Sequence, residues 1–414
     1  MKLTTLLLLA SLPLAAQTTE SQLRSLLQKK TGVVALPAGI IEISREIALP
    51  ADAHDLEIKG TPETILKAAA TFRGRALISL PAGKNIKIHD LALDGNRDAF
   101  PGPLAPPPAT AMLSRIVPNN GILTENVAGL EIYALHATQF VGFPILISAG
   151  SGVHIHDVEV TDSGSLDFAK HNNGTGGIAL EQGVADFDIT HVLLAKVRGN
   201  GIWVRSVDNA ATTKGHIADS EFGVVARAAI EINHAANVTI ENNTVQQIGF
   251  PGEEAIANGA VIPAGIATSG SVSHTIIRGN TFNQIAGRCL SLEGFSDGEI
   301  TTNECSEGLF NGFLIRGTNN RVTGNRLTGL NSAKRDQPDS LRIGIYLANG
   351  ATGNTLTSNQ ISGYGMAQHC IGGPALGANK VSTNSCSDGT SVALLLPAIP
   401  RSPAFATRSF PSLR

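Results

Sequence analysis

In this 414-residue chain, the side chains best suited to catalysis or ligand binding lie on three short apolar segments and on the loop before them. The segments G-I-A-L-E (177–181), G-I-W-V-R (201–205) and A-I-E-I-N (229–233) alternate apolar and variable residues, which is typical of strands with one buried face. Loop 163–175 adds Lys170 and His171. If the isoleucines point inward, the residues that point outward are Glu181, Trp203, Arg205, Glu231 and Asn233, with His234 adjacent.

This cluster has the chemistry that an acidic or neutral glycan needs. Trp203 is the only tryptophan in the chain, and an outward Trp on a sheet offers an apolar platform for a sugar ring. Arg205 can bind a carboxylate or hydroxyl groups through its planar fork of N–H donors. The predicted catalytic residues are Glu181, Glu231, Arg205, His171 and Lys170.

Two reactions are compatible with these groups. Glu181 and Glu231 are expected two rungs apart, about 10 Å by strand spacing, which suits the roughly 6.5–9.5 Å between the carboxylates of an inverting glycoside hydrolase. In the other reaction, a lyase, the base is Lys170 or one of two histidines. Arg205 then neutralises a uronate carboxylate, and the two histidines are His171 and His234.

Each of these residues also has a structural interpretation. Outward Glu and Arg side chains on adjacent rungs form ion pairs on a solvated sheet, Trp203 can pack beneath a loop, and loop 163–175 can be an ordinary surface loop. The histidines at 154, 156, 191 and 216 lie near the corner of a second strand, and we interpret them as structural or surface residues. No cofactor is predicted. Glu253–Glu254 and Asp336 with Asp339 are candidates for Ca²⁺ binding, although their spacing is not that of a calcium cage.

A repeat runs through the C-terminal half and continues backward with other residues in the same frame. Its pattern is a hydrophobic residue, two polar residues, Asn, any residue and a second hydrophobic residue, and the gaps between asparagines are 37, 23, 22, 34 and 25. A period of about 20–50 residues is typical of a stacked solenoid, here built of strands in about twelve turns. The asparagines are predicted to bond to neighbours above and below. They are Asn243, Asn280, Asn303, Asn325, Asn359 and Asn384.

The same alternation extends the outward face toward the C-terminus. It applies to C-L-S-L (289–292), G-F-L-I (312–315) and G-I-Y-L (344–347). The predicted substrate-binding residues are Trp203, Asn233, His234, Glu293, Arg316 and Tyr346.

The period, the asparagines and the opening V-V-A-L-P-A-G-I-I-E-I-S (33–44) resemble the right-handed parallel β-helix superfamily, the pectin-lyase-like fold, over roughly residues 32–388. The resemblance implies an all-β solenoid with three strands per coil. It also implies a saccharide cleft along the first strands. The Asn-x-Asp, Asp-Asp and Gly-His-Gly set of polygalacturonase-like hydrolases and the Asp-Pro-His-Asp motif of mannuronan epimerases are absent from the sequence.

Long insertions are expected to form the sides of this cleft. Each follows a third strand, so all of them project along one edge beside the first strands, where loops on a rigid scaffold usually form a binding surface. They occupy 98–119, 163–175, 248–262 and 331–342, and a shorter insertion, 207–214, lies on the next corner.

Four cysteines fall in two pairs, Cys289 with Cys305 and Cys370 with Cys386, each 16 residues apart. In both pairs the first cysteine opens a first strand, and the second follows a ladder asparagine by two residues. These two places lie near each other where a coil closes. The sequence therefore predicts two disulfides, as export would permit.

The chain ends and the composition complete the prediction. Residues 1–16 have the pattern of a signal peptide cleaved near Ala16, 17–31 that of a capping helix, 32–397 that of the β-helix and 398–414 that of a disordered tail. The net charge of −3 and the 16% of charged residues disfavour nucleic-acid binding, and no later segment is long enough to span a membrane. We expect a secreted or periplasmic bacterial monomer.

The function predicted from the sequence is a secreted carbohydrate-active β-helix protein that acts on a polysaccharide by lyase or hydrolase chemistry. The alternative is a non-catalytic β-helix that binds glycan or serves in the cell envelope. Edge loops and an outward Trp fit both, whereas the absent family motifs favour the second.

Overall fold

A computed structural model describes residues 19–100, 102–207, 212–249, 261–330, 339–363 and 370–387. The predicted signal peptide and the predicted tail lie outside these residues. The helices are α1 (Glu20–Leu26) and α2 (Leu113–Ile116), with 3-10 turns at Arg97–Ala99, Asp339–Leu341 and Leu376–Ala378. Within the described part of the chain, no helix has the length and apolar character needed to cross a bilayer.

Among the residues that the structure describes, thirty strands make up most of the fold. The first fifteen are β1 (Gly32–Ala35), β2 (Gly39–Ala48), β3 (His54–Lys59), β4 (Thr64–Leu80), β5 (Gly83–Asp94), β6 (Asn120–Thr138), β7 (Ile145–Ser163), β8 (Ile178–Glu181), β9 (Ala185–Thr190), β10 (Leu193–Val197), β11 (Ile202–Arg205), β12 (Thr212–Ala218), β13 (Glu221–Val225), β14 (Ala228–Glu241) and β15 (Thr244–Ile248). The others are β16 (Ala264–Ser273), β17 (Ile276–Arg278), β18 (Thr281–Ile285), β19 (Arg288–Ser296), β20 (Glu299–Thr301), β21 (Glu304–Gly308), β22 (Phe313–Thr318), β23 (Arg321–Thr323), β24 (Arg326–Thr328), β25 (Ile345–Leu347), β26 (Thr355–Thr357), β27 (Gln360–Ser362), β28 (Ile371–Gly372), β29 (Lys380–Ser382) and β30 (Ser385–Ser387).

The strands stack in parallel on three sides of a solenoid, which confirms the predicted all-β architecture. On the first-strand face, β8 pairs with β11, β11 with β14 and β14 with β16. On the second-strand face, β9 pairs with β12 and β12 with β14. On the third-strand face, β10 pairs with β13 and β13 with β15. Several long strands, among them β6 and β14, turn a corner and belong to two faces.

One continuous apolar core fills the solenoid. Inward residues of neighbouring coils share it, for example Ile178, Leu180, Ile202 and Val204, each with 0% exposure. A single coil offers too few apolar residues to form a core, so stacking supplies most of the stability. At the N-terminal end, α1 inserts Leu23 into the same core.

The bend before the second strand requires left-handed backbone in coil after coil. Asp55, Asn85, Gly129, Gly152 and Asp186 occupy it with φ of 48°, 54°, 73°, 63° and 52°. Glycine, asparagine and aspartate tolerate this region best. The stacked side chains also bond to each other, since the Asn85 amide donates to the Asp55 carboxylate at 2.8 Å.

The predicted asparagine ladder is present. In its middle, the Oδ1 of Asn303 accepts from the backbone and side-chain nitrogens of Asn280 at 3.1 and 3.0 Å. The Nδ2 of Asn303 donates to the carbonyl of Ile277 at 2.9 Å. The same bonds recur from Asn243 to Asn384, and Ser220 occupies the equivalent position one coil earlier.

A second asparagine ladder was not predicted. It consists of Asn320, Asn354 and Asn379, in which each backbone N–H donates to the next Oδ1 at 2.9 Å. Each member lies five residues before a member of the first ladder. The two ladders therefore bracket the same short strand of successive coils.

Both predicted disulfides are formed. The Cα atoms of Cys289 and Cys305 are 6.1 Å apart, and those of Cys370 and Cys386 are 5.9 Å apart. Each bond closes the corner between a first strand and the third strand of the same repeat. These covalent links lie in the C-terminal half of the solenoid.

Candidate functional site

Two columns of outward side chains run along the first-strand face, and strand register defines them. Trp203 is level with Ala179 on one side and with Glu231 on the other, and Glu231 is level with Ala267. The column continues through Ser291, Leu314 and Tyr346. We call the part of this column from Trp203 to Tyr346 the trough. The predicted inward and outward phase of these strands is therefore confirmed.

The second column lies two residues further along each strand. It brings Glu181 level with Arg205, Asn233 level with Ser269, and Glu293 level with Arg316. Glu181 and Glu231 consequently belong to different columns as well as to different rungs. Their Cα atoms are separated by about 12 Å from strand spacing and rise, rather than by the expected 10 Å.

The insertion after β5 folds over the earlier part of the face. Its helix α2 and Val117 form a separate small core with outward residues of β4, β6, β7 and β8, against which Trp203 packs. Backbone and side-chain bonds join the insertion to loop 163–175: the Leu104 N–H donates to the Leu166 carbonyl at 2.8 Å, and the Asn173 amide donates to the Leu104 carbonyl at 3.2 Å. Between them lies a cavity of about 240 Å³ lined by Pro106, Ile116 and Thr175 among others.

Glu181 does not face the trough as predicted. It has 0% exposure, and its two oxygens accept the N–H groups of Leu113 and Ser114 at 2.7 and 2.9 Å. The carboxylate thus satisfies the free N–H groups at the start of α2, as helix N-termini require. Glu181 therefore holds the insertion against the sheet, and we no longer count Glu181 among the candidate catalytic residues.

Arg205 is held between the sheet and the same insertion. It is 4% exposed, its Nη2 donates to the Ala109 carbonyl at 2.7 Å, and its guanidinium carbon lies 4.8 Å from the centroid of the Trp203 ring. Burial lowers the pKa of Arg205, against the opposing influence of Glu181 and Glu231. The pKa of an arginine is so high that the group keeps its charge.

The Trp203 indole is half-buried and fixed in orientation. Its N–H donates to the Asn233 Oδ1 at 2.6 Å, and one ring edge packs near Phe143, with ring centroids 6.4 Å apart. A Cβ added at Gly174 would lie 3.0 Å from the indole Cζ3, so a larger residue there would press against the ring. Part of the ring therefore packs beneath a loop, as the structural alternative expected, and the rest borders the trough.

Glu231 is the carboxylate that borders the trough next to Trp203. It is partly exposed, and its Oε2 accepts the Asn200 amide at 2.6 Å. The Asn233 amide approaches Oε1 at 3.4 Å and donates to the Ser269 hydroxyl at 2.5 Å. Trp203, Asn233 and Glu231 are thus parts of one hydrogen-bonded network.

The other predicted residues are placed less centrally. His234 lies at the bend after the strand, where its ring covers Gly270 and its Nδ1 accepts the Ser271 N–H at 3.4 Å. Lys170 is exposed on loop 163–175, and the His171 Nδ1 lies 3.5 Å from the Asp167 carboxylate.

Glu293, Arg316 and Tyr346 do lie together at the C-terminal end of the face. Glu293 and Arg316 form an exposed ion pair at 3.1 Å, which is the structural interpretation of outward charges. Arg288 stands beside them, and burial lowers its pKa, with smaller influences of Glu293, Arg316 and Tyr346.

The second-strand face carries a ladder of alternating charge away from this site. One column runs through Glu57, Lys87, Glu131, His154, Asp188 and His216. In the next column His89, Tyr133 and His156 stack, with ring centroids 4.3 and 5.0 Å apart. These contacts agree with a structural interpretation of His154, His156 and His216.

Comparison with known proteins identifies the architecture. The model of the right-handed β-helix region family matches residues 144–329. The chain has the right-handed parallel β-helix fold. No curated protein sequence matches it.

Solved β-helix structures share the fold at low identity. The Dettilon tailspike protein aligns with a TM-score of 0.55 and 15% identity, over 89% of this chain and 65% of that one. The DFA-IIIase of Arthrobacter chlorophenolicus A6 aligns with a TM-score of 0.52 and 12% identity, over 89% of each chain. An exopolygalacturonase of Thermotoga maritima aligns with a TM-score of 0.51 and 11% identity, over 90% of this chain and 89% of that one.

Three residues of this β-helix site were missed from the sequence. Asn200 and Arg227 lie just before their strands, at bends where alternation does not define a direction, and Arg288 opens its strand. Only Asn200 had a visible signal, its place in the G-N-G turn before the Trp203 strand. The predicted calcium candidates Glu253, Glu254 and Asp336 lie outside the described residues. No cluster of three metal-ligating side chains occurs in the described part of the chain.

Proposed function

We propose that this β-helix protein acts on a polysaccharide chain that lies along the trough. The observation that carries the proposal is the composition of the column. Trp203 stands at one end and Tyr346 at the other. Between them lie Glu231, Ala267, Ser291 and Leu314, of which Ala267 and Ser291 have small side chains. The five steps between these six rungs span about 24 Å, which is room for several sugar residues. Aromatic side chains at both ends provide apolar surfaces for sugar rings.

The chemistry that the site favours is proton abstraction by Glu231 next to a bound acidic sugar, as in a lyase. Glu231 is partly exposed and faces the trough, and Asn200 orients it. The guanidinium of Arg205 supplies positive charge near the position of a substrate carboxylate, which stabilises charge that develops during elimination. An inverting hydrolase needs a second carboxylate, and Glu181 is buried under α2.

The second candidate is a non-catalytic glycan-binding β-helix. The burial of Glu181 favours this second candidate, because only one of the two predicted catalytic carboxylates then borders the trough. The names of the structural neighbours include an exopolygalacturonase and a tailspike protein, but only the fold is shared at this identity. The choice therefore depends on whether Glu231 performs chemistry.

The test is a product screen on uronate-containing and neutral polysaccharides, with and without Ca²⁺, using the chain from Gln17. Ultraviolet absorbance reports the unsaturated product of a lyase, and new reducing ends without absorbance report a hydrolase. We expect the lyase signal, and we expect Glu231→Gln to abolish it while gel retardation by the glycan persists. Retardation without any product would establish the binding protein instead. Neither product nor retardation on any glycan would refute both candidates.

We also propose that the protein is exported. Two disulfides are formed in the structure, and disulfides persist in oxidising compartments. The predicted signal peptide agrees with this. N-terminal sequencing of the protein from an expressing bacterium should give Gln17 in the periplasmic or medium fraction, and an intact Met1 in the cytosol would contradict export.

A further inference from the structure

Resting on the proposed function, we propose that the trough receives the end of a saccharide chain. The insertion after β5 closes the groove next to Trp203, so that a terminal sugar lies on the indole and the rest of the chain extends toward Tyr346. The site therefore recognises a chain terminus and not an internal stretch of the polysaccharide. This holds for the enzyme and for the binding protein alike.

The first observation is an abrupt change of exposure along one column of side chains. Strand register continues the column of the trough beyond Trp203 toward the N-terminus, through Ala179, Leu146, Leu123 and Ser79. These four residues all have 0% exposure. Trp203 and the next residue of the trough, Glu231, are partly exposed. The face therefore changes from covered to open between two neighbouring rungs, which are about 4.8 Å apart.

The second column of the face is covered at the same rungs. Ser148 is 3% exposed and level with Glu181, which is level in turn with Arg205. The hydroxyl of Ser114 in α2 donates to the hydroxyl of Ser148 at 3.3 Å. The Glu181 carboxylate accepts two backbone N–H groups of the same helix. On β7 and β8, both outward columns are therefore in contact with the insertion.

The insertion is a fixed wall and not a lid. Leu113 and Val117 pack in one small apolar core with Leu146 of the sheet. The Asn120 side chain joins the base of the insertion to the loop before β7, since it donates to the Val117 carbonyl and accepts the Phe143 N–H, both at 2.7 Å. Segments that open locally have few buried apolar contacts, whereas this one contributes residues to a core. A substrate is therefore not expected to displace it.

Trp203 is the first open surface in front of this wall. The Arg205 Nη2 donates to the Ala109 carbonyl of the insertion at 2.7 Å, and Gly174 of the neighbouring loop packs against the indole. A helical turn with its side chains is about 10 Å across, whereas the rungs are only about 4.8 Å apart. A saccharide chain in the trough would have to rise over the whole insertion within one rung, which a row of linked sugar rings cannot do. The chain must therefore begin or end at Trp203.

The test compares the number of chain ends with the mass of polysaccharide. Polygalacturonate, polymannuronate and a linear β-glucan are each prepared as long chains and as shorter chains of the same composition. Binding is followed by the fluorescence of Trp203, the only tryptophan of the chain, in the Glu231→Gln variant, so that no chain is shortened during the titration. Chains ten times shorter carry ten times more ends per gram, so the mass concentration at half-saturation should fall about tenfold.

A matched pair of variants locates the chain end. Trp203→Ala and Tyr346→Ala each remove one aromatic platform, at positions about 24 Å apart. In calorimetry, a trisaccharide of the sugar that binds should lose affinity about two- to tenfold in Trp203→Ala and keep the wild-type affinity in Tyr346→Ala. An oligosaccharide long enough to reach Tyr346 should be weakened by both substitutions.

Other outcomes separate this proposal from the function on which it rests. Equal mass concentrations at half-saturation for long and short chains, or equal losses of the trisaccharide in the two variants, overturn the terminal site and leave the glycan site intact. No binding of any of the three polysaccharides overturns both. If Trp203→Ala fails to fold, the series of chain lengths decides alone. Any product that the wild-type protein forms from long chains should be a short saccharide from the first time point, and a broad range of product lengths would contradict the proposal.

Discussion

The middle of the asparagine ladder should be far more sensitive to substitution than its end. Asn303→Ala would remove the acceptor of the Asn280 backbone N–H and the donor to the Ile277 carbonyl. The side chain of Asn280 keeps bonds to two other carbonyls, and the Oδ1 of Asn325 keeps its bond from the backbone N–H of residue 303. The buried Asn280 N–H is thus left without its acceptor, and the Ile277 carbonyl loses one of its hydrogen bonds.

An unpaired buried polar group costs about 1–3 kcal/mol and a lost hydrogen bond about 0.5–1.5 kcal/mol, so Asn303→Ala should lower the free energy of unfolding by about 2–4 kcal/mol. The matched variant is Asn384→Ala at the end of the ladder. It frees the Asn359 N–H and the Leu356 carbonyl, but residue 384 is half-exposed and water can replace the lost bonds. We expect a loss of about 1 kcal/mol there.

The assay is urea denaturation of both variants and the wild type, followed by far-ultraviolet circular dichroism. The reasoning requires the internal substitution to cost clearly more than the terminal one. Equal losses, or a loss below about 1 kcal/mol for Asn303→Ala, would mean that water or backbone shifts satisfy the corner. The ladder would then not be a stabilising device.

Three further perturbations have definite expected outcomes. Burial opposes the charged form of His216, but its bonds to Asp188 and Glu241 outweigh this and raise its pKa. Its stabilising contribution is therefore complete below its unfolded pKa of about 6.5 and lost as pH rises through the higher folded value. His216→Gln should then destabilise the protein at pH 6 and much less at pH 9, and an equal effect at both pH values in thermal melts would contradict the charge ladder. Glu181→Gln should lower the free energy of unfolding by about 1–3 kcal/mol and keep any product formation, whereas loss of product without loss of stability would restore Glu181 to the catalytic set. Replacing Cys289 and Cys305 by alanine should cost about 2–4 kcal/mol in oxidising buffer, and identical urea midpoints for variant and wild type would show that this bond does not stabilise the fold.

Much of the fold was predictable because its information is local and repeated. The alternation of apolar and variable residues around Ile178 and Ile202 predicted which residues point outward, and the same pattern recurred in each coil. The asparagine pattern and the equal spacing of the two cysteine pairs work in the same way. The second ladder, with Asn320 as its first member, was equally repetitive, but its three members were too few to stand out.

The candidate site was predicted only in part. Trp203, Arg205, Glu231 and Asn233 do lie together, since strand phase and coil order place them. The catalytic role of Glu231 stays a prediction. Glu181 was assigned to an open face because alternation gives the direction of a side chain but says nothing about what covers it.

The sequence by itself therefore determined the solenoid, its faces, its ladder and its disulfides, because each depends on residues within one repeat and its neighbour. Only the tertiary structure decided which part of the outward face is open. The insertion that carries α2 has no period, and it reaches Glu181 from 68 residues away in the chain. A segment without repetition carries no sequence signal for the surface on which it packs. That packing buries Glu181, restrains Arg205 and leaves the trough beginning at Trp203.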